Sequence, residues 1–283
     1  MFARVAVLGT GLIGGSFALA LREHSPELRV VGWDRAEVLP QALARGAVHE
    51  VAGNLEVAVR DADLVYLALP IGATLDLLPA VARWCSPQAL VTDVSSTKSL
   101  VCRTAAAHFR GAARFLVGHP MAGKERGGIE NADASLFRGA KYALIGDAAD
   151  AEPRVQAFAE LLRRIGAEPV WLSAAEHDRA VALLSHLPQL VSVALAVAVS
   201  EQSRATPFVP DLAGSGLRDV LRLAGSPYTM WRDICLTNRE QISAAIEQLS
   251  QVLDDLRLHL TSPELRDAFA QANQLYESLR KLK

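Results

Sequence analysis

Cysteine is scarce in this sequence, and neither sign of charge forms a run. Only Cys85, Cys102 and Cys235 occur in 283 residues. Their scatter excludes a disulfide framework and metal-type pairs, and fits a reducing cytoplasm. A formal net charge of −2 with no basic stretch gives no electrostatic footprint for nucleic acid or an anionic membrane surface. There is no internal repeat and no low-complexity tract. Lysine is absent from residues 173–280. With 51% hydrophobic and 21% charged residues, the chain has enough apolar material for two globular domains.

Two uncharged runs need a reading. Residues 5–21, VAVLGTGLIGGSFALAL, resemble a secretory leader in composition, but four glycines interrupt them and no cleavage signature follows. Residues 180–200, AVALLSHLPQLVSVALAVAVS, are long enough to span a bilayer. His186, Pro188 and Gln189 within them favour a buried helix of a soluble protein, because polar groups are costly in lipid. No membrane partner is expected.

Up to residue 172, short apolar runs alternate with helical patterns. Strands are expected at 4–8, 29–34, 63–69, 89–93, 114–118, 141–146 and 168–172. This alternation predicts a parallel sheet covered on both faces. From Ser173 onward the strands stop. Helical stretches at 176–204 and 238–259 are broken around Pro207, Pro210, Gly214–Gly216 and Ser262–Pro263. The expected fold class is α/β, a Rossmann-type doubly wound sheet over residues 1–172 followed by an all-helical domain over 173–283. With the first strand at residue 4 and the helical domain running to 283, no fused further domain is expected. A helix apolar all round needs enclosure, and a domain of about 110 residues offers little. A second subunit is the simplest cover, so a homodimer built on the helical domain is expected. The alternative is a monomer whose other helices wrap this one.

The segment VAVLGTGLIGGS (5–16) holds G-x-G-x-x-G at Gly9, Gly11 and Gly14. The spacing alone is weak. Here it follows a strand and opens a helix, the context in which a dinucleotide diphosphate meets a helix N-terminus. Asp34 ends the second strand, 20 residues after Gly14. A carboxylate there accepts from a ribose 2′-hydroxyl and repels a 2′-phosphate, which favours NAD over NADP. Arg35 leaves the NADP alternative open, and Asp34 could instead cap the next helix. The expected cofactor contacts are Gly9, Gly11, Leu12, Ile13, Gly14, Asp34 and Arg35, with Leu69 and Pro70 after the strand at 63–69.

At the same sheet edge, Asp93-Val-Ser-Ser-Thr-Lys98 follows one strand, and GHPMAG (118–123) follows the next. Between Gly118 and Pro120, His119 sits on a stiff extended segment. Ser96 and His119 are thereby directed towards the nicotinamide position. Removing a hydride from an alcohol carbon requires a base for the hydroxyl proton, and neutral imidazole suits that role.

Together, GTGLIGGS, TDVSSTKSLV, GHPMAGKERGG, LLSHLPQ and GLRDVLRLAGSPYTMW resemble the prephenate/arogenate dehydrogenase family of tyrosine biosynthesis, in order and over nearly the whole chain. The resemblance implies oxidative decarboxylation of prephenate to 4-hydroxyphenylpyruvate, or of arogenate to tyrosine, in a dimer formed through the helical domain. It implies His119 as catalytic base on the ring hydroxyl, with Ser96 sharing that hydroxyl and orienting the imidazole. It further implies His186 lining the substrate pocket, Arg222 binding a substrate carboxylate, Glu125 and Asp219 guarding the pocket mouth, and Trp231 as a nearby aromatic. Leu221 and Gln189 depart from the family pattern, which often has threonine and a second histidine there. His186 could also be a satisfied core histidine, and Arg222 an ion-pair partner of Asp219. No role is assigned to His24, His49, His108, His177 or His259. Residues 223–231 contain no carboxylate for an ammonium group, which favours prephenate over arogenate.

Two other readings compete. A β-hydroxyacid dehydrogenase would need a catalytic lysine in the second domain, and residues 173–280 have none. A non-catalytic NAD-responsive dimer would not need Ser96, His119 and Arg222 together.

Overall fold

A computed structural model describes residues 2–281 except 112, 125, 151, 207 and 209. Pro207 and Glu125 therefore lie outside the described residues. The first domain contains β1 (Arg4–Leu8), α1 (Leu12–His24), β2 (Arg29–Trp33), α2 (Leu39–Ala44), β3 (Glu50–Val51), α3 (Leu55–Val59), β4 (Leu64–Leu67), α4 (Ile71–Trp84), β5 (Leu90–Asp93), α5 (Ser99–His108) and β6 (Arg114–Leu116). These six strands form one parallel sheet in the order β3-β2-β1-β4-β5-β6. Chain order reverses between β1 and β4, and open α/β sheets bind ligands at such a switch point, outside the carboxyl ends of their strands.

Side chains alternate across this sheet with period two. Val5 and Val7 join a core with Phe17, Leu21 and Phe158, while Ala6 and Leu8 join another with Leu67, Leu78 and Val91. Both faces are thus buried, which is why β4 and β5 read as continuous apolar runs rather than as alternating ones.

The expected strand at 114–118 divides between two sheets. β6 stays in the parallel sheet, whereas β7 (Gly118–Pro120) pairs antiparallel with β8 (Lys141–Ile145). After α6 (Pro153–Arg164), β9 (Glu168–Leu172) adds to β8 in parallel. At Gly118 the chain passes close to β5: a Cβ there would press on Tyr142, Asp93 and Thr92 within 3.0–3.3 Å. Its N–H donates to Asp93 Oδ1 at 3.1 Å instead of extending the parallel ladder. His119 consequently lies within a strand, opposite Ala143, rather than in a loop beyond a strand end. The two sheets are joined in the core by the Tyr142 hydroxyl donating to that of Tyr66 at 3.1 Å.

The remainder is helical: α7 (Ala174–Val181), a π-helical turn (Ala182–His186), α8 (Leu187–Ala205), α9 (Ser215–Leu221), a 3-10 turn (Arg222–Gly225), α10 (Tyr228–Thr237), α11 (Arg239–Leu258) and α12 (Glu264–Arg280). Ser173 and Glu176 form a capping box that starts α7. The continuous helix expected over 176–204 is interrupted because Pro188 has no N–H for the carbonyl four residues earlier, so the turn before it widens. Of α8, only Gln189 and Ser192 are buried. Just 28% of the most apolar window of residues 174–205 is covered within one chain, so the neighbouring helices do not wrap it.

Candidate active site

The glycine loop packs as its spacing requires. Gly9 has φ +91°, and a side chain there would collide with the backbone of Ala68. A Cβ on Gly14 would collide with the Gly9 carbonyl, whereas one on Gly11 would meet nothing within 4 Å. Gly11 thus opens on free space at the start of α1, a helix without a side-chain cap. Unsatisfied N–H groups and the positive end of the helix dipole face that space, a setting that fits a dinucleotide diphosphate.

Asp34 follows β2 and caps no helix, since α2 is preceded by Val38. Its Oδ2 accepts from the Thr10 N–H at 2.6 Å and the Thr10 hydroxyl at 3.1 Å, and its Oδ1 accepts from the Arg35 N–H at 2.7 Å. The carboxylate therefore ties the end of β2 to the glycine loop. The guanidinium of Arg35 turns to Glu37 at 3.3 Å.

A cleft of about 560 Å³ runs from this loop to the helical domain. Leu12, Ile13, Leu69, Pro70 and Ser96 line one side, and α10 supplies the other. The cleft gathers loops after β1, β4 and β5, as the switch-point rule predicts.

A relay that local sequence patterns do not reveal packs against the β5–α5 loop, whose Ser95 and Ser96 line the cleft, although its own residues are not among the lining residues. Asp178 Oδ1 is 2.9 Å from His177 Nδ1, and His177 Nε2 is 2.9 Å from His119 Nδ1. A carboxylate only accepts, so His177 carries its proton on Nδ1 and presents a bare Nε2. That nitrogen in turn must accept from His119 Nδ1–H. His119 Nε2 is then left with a lone pair, the form a general base requires. Burial, and next the Lys98 ammonium, holds His119 well below the usual imidazole value. Burial pushes the Asp178 carboxyl up, but hydrogen bonds from His177 and Ser99 outweigh it and hold the group at about 2.

Under the relay, Lys98 is wholly buried and pairs with Asp93 at 2.7 Å. Its ammonium also donates to the Gly118 carbonyl at 2.6 Å, next to His119. Burial lowers the Lys98 pKa, and the Asp93 carboxylate opposes that shift.

Two carboxylates of the helical domain complete helices of the first domain. α4 and α5 are preceded by Pro70 and Lys98, and neither makes a side-chain cap. Asp178 accepts from the Lys98 and Ser99 N–H groups at 2.7 and 2.8 Å. Asp233 accepts from the Gly72 N–H at 3.1 Å. A hydroxyl contact of 2.7 Å between Thr97 and Thr237 adds to the joint.

Of the expected substrate residues, His186 and Trp231 come together, with ring centroids 5.9 Å apart. His186 is only 1% exposed and, like His119, is not among the residues lining the cleft of a single chain. Its Nδ1 lies 3.3 Å from Asn238 Nδ2, whose other partner is the Asp178 carbonyl. Burial lowers its pKa to about 4, so it is a neutral core imidazole supporting Trp231. The Trp231 indole N–H is buried without a partner among the described residues, an orphan donor on the ring that meets His186.

Arg222 and Asp219 are exposed, on the 3-10 turn and on α9, and both elements pack against α8. Neither lines the cleft of a single chain. The turn that carries Arg222 is pinned to α8 by Gln189, which donates to the Leu223 carbonyl at 2.7 Å, and by Ser192, which donates to the Val220 carbonyl at 2.7 Å. The relay had only one signal in the sequence, the adjacent His177-Asp178 pair at the head of the helical domain. Its partner stands 58 residues earlier, beyond the reach of any local pattern.

Comparison with known proteins adds independent observations. Residues 17–171 match the family model of the prephenate dehydrogenase nucleotide-binding domain, and 173–280 match that of the prephenate dehydrogenase dimerization domain. A prephenate dehydrogenase of Lactococcus lactis is 34% identical over 260 residues, which cover 91% of this chain and 71% of that protein. The crystal structure of A. aeolicus prephenate dehydrogenase in complex with hydroxyphenyl propionate and NAD+ superposes with a TM-score of 0.86 at 27% identity, covering 99% of this chain and 96% of that one. Synechocystis arogenate dehydrogenase gives a TM-score of 0.83 at 29% identity, covering 98% and 99%.

Proposed function

Because the chain belongs to the prephenate dehydrogenase family, we propose that this oxidoreductase converts prephenate to 4-hydroxyphenylpyruvate with NAD, in tyrosine biosynthesis. The observation that carries this reading is the Asp178–His177–His119 chain, joined through Lys98 to the β5–α5 loop whose Ser96 lines the glycine-loop cleft. It supports His119 as a base of fixed tautomer at the edge where a cofactor binds.

NAD, which the loop at Gly9–Gly14 and Asp34 would hold, would supply the acceptor for the hydride on the ring carbon that bears the hydroxyl. His119 Nε2 takes the hydroxyl proton, and Ser96, on the β5–α5 loop, shares that hydroxyl. Loss of CO₂ from the opposite ring carbon then sends the electrons of the broken C–C bond through the ring to the oxygen. That oxygen takes its proton back from His119 as the ring becomes aromatic, so the chain need supply only positioning, a base and a grip on the carboxylates. Arg222 is the proposed grip, because its planar fork pairs two oxygens, with Asp219 beside it at the mouth. Trp231 offers its unpartnered indole N–H to the substrate side. Arg222→Gln is expected to raise the substrate KM roughly 10- to 100-fold with little change in kcat, since a carboxylate bond is present in ground and transition state alike. Unchanged substrate kinetics with a lower thermal midpoint would instead make Arg222 a structural residue.

The cofactor preference follows from Asp34. NADP should be used far less well than NAD, and Asp34→Ser should narrow the gap. Equal kcat/KM for the two cofactors in the wild type would sink the assignment.

Arogenate dehydrogenation is the second reading, favoured by the likeness to the Synechocystis enzyme. Against it, Asp233 is the one carboxylate among the described residues lining the cleft, and Gly72 and Arg232 already occupy it. Formation of NADH, followed by absorbance with prephenate and arogenate offered separately, decides. Faster turnover of prephenate is expected, and the reverse order would assign arogenate.

The uncovered apolar face of α8 supports a homodimer through the helical domain. Exposed Val193 and Val197 on α8, and Val252 and Leu253 on α11, would be covered there. Sedimentation should give about twice the 30.4 kDa chain mass, and a persistent monomer would reject the dimer.

A further inference from the structure

The cofactor cleft is electrically lopsided. On the nucleotide-binding side its lining residues after β1, β4 and β5 are uncharged, Leu12, Leu69, Pro70 and Ser96 among them. A dinucleotide would bring a doubly negative diphosphate into it, met on that side only by the N-terminus of α1. Among the described residues the charged lining groups are Lys124, Arg232 and Asp233. The Lys124 ammonium is occupied by the Asn131 carbonyl at 3.0 Å and Asp133 at 3.3 Å.

Arg232 is differently placed. It projects from α10 of the helical domain and is held by Asp233 Oδ1 through Nε at 3.0 Å and Nη2 at 2.9 Å. Asp233 is 9% exposed, and its other oxygen is pinned by the Gly72 N–H in the first turn of α4. The guanidinium is therefore fixed in orientation, and Nη1 has no partner among the described residues. Since Asp233 also faces the positive end of α4, a helix of 14 residues, its charge is shared and the outer edge of the guanidinium remains cationic.

Resting on the NAD reading above, we infer that Arg232 is a further cofactor-binding residue, through which the helical domain grips the diphosphate across the cleft from Gly11. Arginine suits the task because its fork pairs phosphate oxygens and its charge does not titrate. Asp233 is the positioning residue. It aims the guanidinium and, through Gly72, ties it to the turn carrying Pro70 and Ile71. Cofactor binding and the placement of the helical domain are thereby coupled by one ion pair.

Calorimetric titration of the full chain with NAD, ADP-ribose and adenosine tests this without any turnover. Arg232→Gln is expected to weaken NAD and ADP-ribose about 10-fold, the worth of one partly exposed charged hydrogen bond, and to leave adenosine unchanged. Arg232→Lys should fall between, and the salt dependence of ADP-ribose binding should become shallower in Arg232→Gln. The side chain is 56% exposed, so an unchanged thermal midpoint serves as the folding control. Wild-type affinity of Arg232→Gln for NAD and ADP-ribose would overturn the inference. So would an equal loss for adenosine, which would mean a general disturbance of the cleft. If the wild type bound neither NAD nor ADP-ribose, the cofactor reading itself would fall, and this inference with it.

Discussion

His119→Asn is expected to fold, to bind NAD, and to turn over roughly 10²–10⁴-fold more slowly than the wild type, the range for loss of a positioned general base. Asparagine keeps a group able to donate to His177 but offers no nitrogen lone pair to the substrate hydroxyl. The pH dependence carries a separate signature. Only the unprotonated ring acts as a base, so activity is lost as pH falls through the His119 pKa. Burial and the Lys98 ammonium hold that pKa well below 6.5, so the acid limb of the wild-type rate should lie below the range of an ordinary histidine. Near wild-type turnover in His119→Asn would remove the residue from the mechanism. An acid limb at pH 6.5 or above would show that the ring is not desolvated as described.

Lys98→Met is expected to cost about 3–5 kcal/mol of folding stability, the usual effect of removing one partner from a buried ion pair. Methionine fills much of the same volume, so the loss is electrostatic rather than a cavity effect. It strands the wholly buried Asp93 carboxylate, which keeps only N–H donors from Ser95 and Gly118. It also frees the Gly118 carbonyl beside His119. Urea denaturation measures the change. The double variant Asp93→Asn with Lys98→Met should recover part of it, because the stranded charge is then gone. A loss below about 1 kcal/mol would mean that water reaches the pair in solution.

Both predictions concern residues that the sequence singled out to different degrees. Segment 93–98 reads as a ligand-edge loop, yet nothing local announces that Lys98 turns inward. A lysine is almost never fully buried without a partner; Asp93 lies only five residues away, but the Gly118 carbonyl joins it as an acceptor only once Gly118 crosses against β5. His119 was legible because the proline after it fixes its own φ and holds the preceding residue extended, while the glycine before it reaches conformations other residues avoid. Its strand pairing with β8 was not, because register depends on residues 141–145. Expected strand bounds agreed within one or two residues for most elements, since buried parallel strands announce themselves as apolar runs. The two-residue β3 was too short to leave a pattern.

What the sequence by itself determined is the nucleotide-binding half. Gly9, Gly11 and Gly14 set a local geometry that no other residue type tolerates at Gly9 and Gly14, and period-two burial set the sheet around it. The division into an α/β unit and a helical unit followed from the change of hydrophobic period near residue 173. What only the tertiary structure decided is how the two halves become one site. α4 and α5 begin without caps of their own, and Asp233 and Asp178 supply them from more than 70 residues away. The same Asp178 sets the tautomer of His177 and hence the lone pair on His119. Hydrogen-bond donors at a helix start must be satisfied, but chain order does not say by which carboxylate. That choice is made by packing one domain on the other.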